Sequence, residues 1–213
     1  RRKQSQQEQN LRELNLGELS LMELNLWDLN LRPKRDPIVL RSSLKLHKRE
    51  AMMLETFNRD GNVVLITGGG TGLGLGRVRA LARAGANLAL AGRRAAPIEG
   101  AAKEVVDLGR EALVVTADVT DSKQVDQLIA TTLDRFGHID ILVNNAGSRP
   151  GKDRVLVVDL EEEAWDTVQR VNAKGTFLCS QVVARQMIAQ GTGGKIINIS
   201  SGAGKRGRAR FAA

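Results

Sequence analysis

The stretch Asn62–Val78 constrains this chain most: Asn62-Val-Val-Leu-Ile-Thr67-Gly68-Gly69-Gly70-Thr71-Gly72-Leu73-Gly74-Leu-Gly-Arg-Val78. A short apolar run rich in β-branched residues meets a cluster of glycines, and an amphipathic run follows directly. That order reads as strand, tight turn and helix. Glycine suits a backbone that must turn sharply and come close to a neighbour, because a Cβ would block both. The first turn of the following helix has unpaired N–H groups and the positive end of a dipole, so it can hold a phosphate. Many strand-to-helix turns need glycine for geometry alone, so the rest of the chain has to decide.

Downstream the same alternation repeats. Asn87–Ala91, Ala112–Thr116, Ile139–Asn144 and Lys195–Ser201 are short apolar strands, of the kind a buried parallel sheet uses. Between them lie helical patterns. One ends at Gly85, one starts near Pro97 and stops at Gly109, and one opens with the capping pattern Asp121-x-x-Gln124 and closes at Gly137. Asp159-x-x-Glu162 predicts a further capped helix with Trp165 in the core, and its apolar pattern resumes after Asn172 through Phe177–Met187.

The spacing Thr67-Gly68-x-x-x-Gly72-x-Gly74 after a strand resembles the cofactor loop of the short-chain dehydrogenase/reductase family. Three more segments come in that family's order. They are Asn144-Asn145-Ala146-Gly147 after the fourth strand, Val171-Asn172-Ala173-Lys174-Gly175 within a helix, and Ser200-Ser201 after the fifth. The resemblance runs from residue 54 to 213. It implies an α/β fold of Rossmann type, a doubly wound parallel sheet in the order 3-2-1-4-5 with helices on both faces. It implies reversible hydride transfer between a nicotinamide cofactor and a carbonyl or alcohol, most like 3-oxoacyl-carrier-protein reductases and sugar or polyol dehydrogenases.

The same resemblance assigns cofactor binding to Gly68, Gly70, Thr71, Gly72, Leu73, Gly74, Arg93, Asp118, Val119, Asn145, Ala146 and Gly147. It assigns catalytic roles to Ser201, as a hydrogen-bond donor to the substrate oxygen, and to Asn172, as the helix-bending holder of a relay water. At the end of the second strand such folds place an acid against the free ribose 2′-hydroxyl of NAD. Here Gly92-Arg93-Arg94 stands instead. Either these are solvated loop arginines, or a guanidinium forks onto a 2′-phosphate, which favours NADP over NAD. The family's chemistry also needs a Tyr and, four residues later, a Lys. The Tyr falls about a dozen residues after the serine, near position 213 or 214. The chain has no Tyr. The expectation is therefore a Rossmann domain ending short of that pair, with little turnover as it stands and a homo-oligomer when full-length. The alternative is a non-catalytic dinucleotide-binding or scaffold chain.

The net charge of +8 does not point to nucleic acid. Residues 1–51 carry 11 basic and 7 acidic side chains, Lys205, Arg206, Arg208 and Arg210 add four more positive charges, and the stretch between balances at 17 of each. With 3% aromatics a base-stacking surface is not expected. Cys179 has no second cysteine to pair with and reads as a small buried side chain. His47 and His138 stand apart, so no metal site is expected. No apolar run approaches the roughly 20 residues of a bilayer span, and no signal segment opens the chain, so a cytoplasmic setting is expected.

Residues 1–51 differ in kind. Leucine pairs recur at Leu14/Leu16, Leu19/Leu21, Leu24/Leu26 and Leu29/Leu31, a period of five that fits neither helix nor strand. Four such repeats are too few to stack as a solenoid. The segment reads as a low-complexity extension, either a poorly ordered native tail or sequence of non-native origin upstream of Met52-Met53, with the folded domain at 52–213.

Overall fold

Each of the first four apolar strands of this chain is followed by helix, which carries the chain back so that the next strand enters in the same direction. The computed structural model, which describes residues 57–148, 151–207 and 209–210, has that architecture. The elements are β1 (Val63–Thr67), α1 (Gly72–Arg83), β2 (Asn87–Gly92), α2 (Ala95–Asp107), β3 (Ala112–Thr116), α3 (Ser122–Phe136), β4 (Ile141–Asn144), α4 (Glu162–Gln169), α5 (Thr176–Gln190) and β5 (Lys195–Asn198). The strands form one sheet in the order β3-β2-β1-β4-β5, and every pair is parallel. This is the expected doubly wound Rossmann-type sheet. The readings made for residues 1–51 lie outside the described residues; Asn58–Ala213 is a compact unit in itself.

The alternation of side chains along β1 explains why helices are needed on both faces. Val64 and Ile66 pack with Val78 and Ala82 of α1 and with Ile98 and Val105 of α2. Leu65 points the other way, into a cluster with Leu128 and Ile129 of α3 and Cys179 and Val183 of α5. All five residues of β1 are buried, as the centre of such a sheet requires. Burial among these apolar neighbours pushes the Cys179 thiol up to about 11.

Three expectations change in detail. The Asp121 carboxylate does cap α3, accepting from the N–H groups of Lys123 and Gln124. The return leg of the box differs: the Gln124 Oε1 accepts from the N–H of Asp118 at 2.9 Å, tying the helix start to the end of β3. Asp159 caps no helix. It ends a 3₁₀ turn, Val157–Asp159, after which Leu160 is extended, so α4 begins only after Glu161. Trp165 is not core but 43% exposed, because α4 is a short helix whose one buried side chain is Val168. The fifth strand, expected to run to Ser201, stops at Asn198 and among the described residues pairs with β4 alone, leaving Ile196 and Ile197 exposed.

Candidate functional site

Because all five strands run parallel, Thr67, Gly92, Thr116, Asn144 and Asn198 end at the same margin of the sheet. The chain order reverses between β1 and β4, and loops leaving neighbouring strands there diverge to opposite faces, opening a crevice. A cleft of about 890 Å³ lies at this place. Of the residues expected to bind cofactor, Gly68, Gly70, Thr71, Leu73, Gly74, Arg93, Asp118, Val119, Asn145, Ala146 and Gly147 all line it. Gly72, Asn172 and Ser201 do not, although Leu73, Val171 and, two residues before Ser201, Ile199 do.

The glycines of the loop divide into two kinds. Gly68 turns the chain at φ +69°, and a Cβ on it would stand 3.0 Å from the Cα of Ala146. A Cβ on Gly70 would meet the backbone of Pro97 at 2.8 Å, and one on Gly74 would meet the Gly68 carbonyl oxygen at 2.2 Å. These three let protein pack on protein. Gly72, at φ +55°, has nothing within 4 Å and leaves open space. Behind it, Thr71 occupies the N-cap position of α1 with no side-chain hydrogen bond to the first turn, and no acid lies in that turn. Those N–H groups therefore have no side-chain acceptor, in contrast to α3 with Asp121. Leu73, in the same turn, is 78% exposed against the cleft.

Two asparagines hold the floor, each in a different direction. Asn145 donates from Nδ2 to the carbonyls of Thr67 and Gly68, both at 2.9 Å, and its Oδ1 accepts from Arg77 Nη1 at 2.8 Å. The Thr67 hydroxyl accepts from the N–H groups of Asn145 and Ala146. Asn144, buried, donates from Nδ2 to Ser180 Oγ and to Asn198 Oδ1, joining β4 to α5 and β5. These contacts fix β4 between its two neighbours.

Asn172 sits in a π-helical segment, Arg170–Gly175, inserted between α4 and α5. Its Oδ1 accepts from the Ser148 N–H at 2.8 Å, its Nδ2 donates to Ser148 Oγ at 3.2 Å, and its carbonyl accepts from the Thr176 hydroxyl. The widened turn thus anchors the loop that leaves β4. Gly175 seats the same segment on the cleft wall, since a Cβ there would lie 2.6 Å from Val119 Cγ2. Ser201 is exposed at the start of a 3₁₀ turn, where its Oγ accepts from the Ala203 N–H at 3.2 Å. Asp118 accepts from the Thr120 N–H.

Sequence reasoning missed Arg77, which lines the cleft, and the partners Thr67, Ser148, Ser180 and Asn198. An arginine on an amphipathic helix looks like any solvated residue. Electrostatically the cleft is lopsided: Arg77, Arg93 and Arg94 line it against one carboxylate, Asp118. None of the three arginines is ion-paired among the described residues.

The sequence model described as short chain dehydrogenase matches residues 62–213. The chain belongs to the short-chain dehydrogenase family. Sorbitol dehydrogenase of Cereibacter sphaeroides is 42% identical over 150 residues, which is 70% of this chain and 56% of that protein. The 2-dehydro-3-deoxy-D-gluconate 5-dehydrogenase of Dickeya dadantii is 43% identical over 150 residues, 70% of this chain and 57% of that one. A crystal structure of NAD+-bound xylitol dehydrogenase superposes with a TM-score of 0.69 at 34% identity, covering 72% of this chain and 58% of the other. This short-chain dehydrogenase chain thus spans a little over half the length of the curated relatives it matches. No helix among the described residues is long and apolar enough to cross a membrane, and no group of three His, Cys, Asp or Glu side chains among them could hold a metal ion.

Proposed function

We propose that the chain is the cofactor-binding part of an NADP-preferring oxidoreductase acting on a small polyol, sugar or sugar-acid substrate. The observation that carries this is the cleft itself: an uncapped helix N-terminus, an exposed Leu73, and arginines at the end of β2 where an acid would suit a free 2′-hydroxyl. The residues fit a dinucleotide phosphate. The open space at Gly72 admits a diphosphate to the N–H groups of α1, and Leu73 covers an apolar surface. Arg93, with Arg94 beside it, would hold the 2′-phosphate, and Asp118 and Val119 would border the adenine. Ala146 and Gly147 leave room for the cofactor to lie over the strand ends.

When bound, the nicotinamide supplies a hydride to the substrate carbon or accepts one from it. The chain's own residues orient and polarise. The Ser201 oxygen already accepts from Ala203, so its proton is the part of the hydroxyl left to donate to the substrate oxygen. Asn172, held by Ser148 and Thr176, keeps the π-helical turn open and supports a water beside the site. No tyrosine occurs among the 213 residues, so we assign them cofactor binding with little turnover. General acid catalysis of the missing kind typically contributes about 10²–10⁴-fold. The substrate class rests on the polyol and sugar-acid enzymes among the relatives, and a homo-oligomeric, cytoplasmic enzyme belongs to the same reading.

The test is the ratio of NADP to NAD affinity in the chain and in Arg93→Asp. The expected result is tighter binding of NADP in the unmodified chain and a ratio reduced by about tenfold or more in the variant, the worth of one charge-assisted contact. An unchanged ratio would remove Arg93 from the 2′-phosphate site. Binding of neither dinucleotide would remove the function.

A further inference from the structure

We propose that Arg77 binds the diphosphate of the dinucleotide, giving a cation to a stretch of the cleft whose other ligating groups are backbone N–H groups. The inference rests on the dinucleotide reading above and adds to it a residue outside the glycine motif.

Arg77 lies in the second turn of α1, behind Gly74, and is half-buried. It lines the cleft together with Gly68, Gly74, Ala146 and Gly147. One nitrogen, Nη1, donates to Asn145 Oδ1 at 2.8 Å. Asn145 cannot rotate away, because its Nδ2 is held by the carbonyls of Thr67 and Gly68. The guanidinium is thereby fixed at one corner, and four of its five donors remain outside this contact. Its partner is neutral, and no carboxylate pairs with it among the described residues. Its remaining donors are available to an anion in the cleft. On the same helix Arg79, by contrast, is paired with Glu104.

Position separates Arg77 from the arginines of β2. Arg77 stands over Asn145 at the end of β4, and Arg93 follows β2, with β1 between the two strands. Two strand spacings make about 10 Å. Strand ends that far apart suit one extended ligand carrying a diphosphate and a 2′-phosphate. The structure thus assigns the two cationic points to different phosphates of the same molecule.

Calorimetric titration with three probes tests this: ADP-ribose, which has the diphosphate without the 2′-phosphate; NADP, which has both; and 2′-AMP, which has only the 2′-phosphate. Arg77→Gln keeps an N–H donor for Asn145 and removes the charge. The expected result is that it weakens ADP-ribose and NADP by the same factor, about tenfold or more, and leaves 2′-AMP unchanged. Its affinity for ADP-ribose should also depend less steeply on salt, and Arg77→Lys should recover part of the loss. Unchanged ADP-ribose binding in Arg77→Gln overturns the proposal. So does an equal loss for all three probes in both variants, which would make Arg77 a support for Asn145. If the unmodified chain binds none of the probes, the dinucleotide reading falls and takes this assignment with it.

Discussion

Alanine at Gly74 and alanine at Gly76, two positions apart on α1, should move stability in opposite directions. At Gly74 the new Cβ would stand 2.2 Å from the Gly68 carbonyl oxygen and 2.7 Å from Asn145 Nδ2. Neither neighbour yields cheaply. The Gly68 oxygen is backbone in a turn at φ +69°, and the Asn145 amide donates to it and to Thr67. Ordinary contact needs about 3.5 Å, so α1 has to retreat by about 1 Å or the Asn145 bonds have to break. Overpacking of this kind costs about 1–3 kcal/mol, and each lost hydrogen bond adds about 0.5–1.5 kcal/mol. Against this stands the helical advantage of alanine over glycine, about 1 kcal/mol. The net is a loss of about 2–3 kcal/mol, or about 5–10 °C in Tm for a domain of this size. At Gly76 a Cβ meets nothing within 4 Å, so the helical gain stands alone and Tm should rise by about 2–4 °C. Thermal unfolding followed by circular dichroism reads both. Shifts of the same sign, or a Gly74→Ala loss under about 1 kcal/mol, would refute the claim that this glycine exists to seat α1 on the turn.

Two further predictions concern titration. Cys179, with its thiol pushed up to about 11, should resist an aromatic disulfide reagent at mildly alkaline pH and react only as fast as the chain unfolds. The unfolded thiol ionises first, so stability should fall as pH rises from about 9 toward 11, and Cys179→Ala should flatten that part of the profile. The hydrogen bond from the Gln124 side chain, helped by backbone N–H groups, holds the Asp121 carboxyl below its ordinary value. Its contribution is present above the ordinary carboxylate range and lost as pH falls through the lowered value. Asp121→Ala should therefore lower Tm at neutral pH and make no difference once the carboxyl is protonated, as a melting series against pH would show.

What could be read from the sequence is what local chemistry decides. Short β-branched runs, glycines at 85, 109 and 137, and amphipathic stretches between them gave the strands, the helices and their order. The positive φ of Gly85, Gly109 and Gly137 is the backbone counterpart of that signal. The cleft residues came through the family resemblance, and the structure places them at strand ends where the chain turns. Other features depend on partners far away. Arg77 and Asn145 are 68 residues apart, Asn144 and Asn198 are 54 apart, and nothing within either neighbourhood announces the contact. Asp159 and Trp165 failed for a related reason: their local patterns fit a longer helix, but Leu160 is extended and α4 starts late.

The polar groups of the site follow a division of labour that bears on the proposed function. Asn144, Asn145, Asn172 and Thr67 make hydrogen bonds that each close a gap between two segments, and Asp118 bonds within its own loop. Arg77, Arg93 and Arg94 make no ion pair among the described residues, no side chain caps the N–H groups at the start of α1, and all of these are donors. A cleft whose neutral amides are engaged in structure while its cations stand without counter-ions is incomplete in one sense only, charge. The proposed dinucleotide would supply it with an anion long enough to reach from the end of β2 to the end of β4. Stability should then be coupled to that anion: an ADP-ribose concentration a hundred times its Kd adds about 2.7 kcal/mol. That gain should shrink in step with affinity in Arg77→Gln. A rise in Tm with inorganic phosphate equal to that with ADP-ribose at the same free concentration would show that one phosphate binds as tightly, and would break the argument from reach.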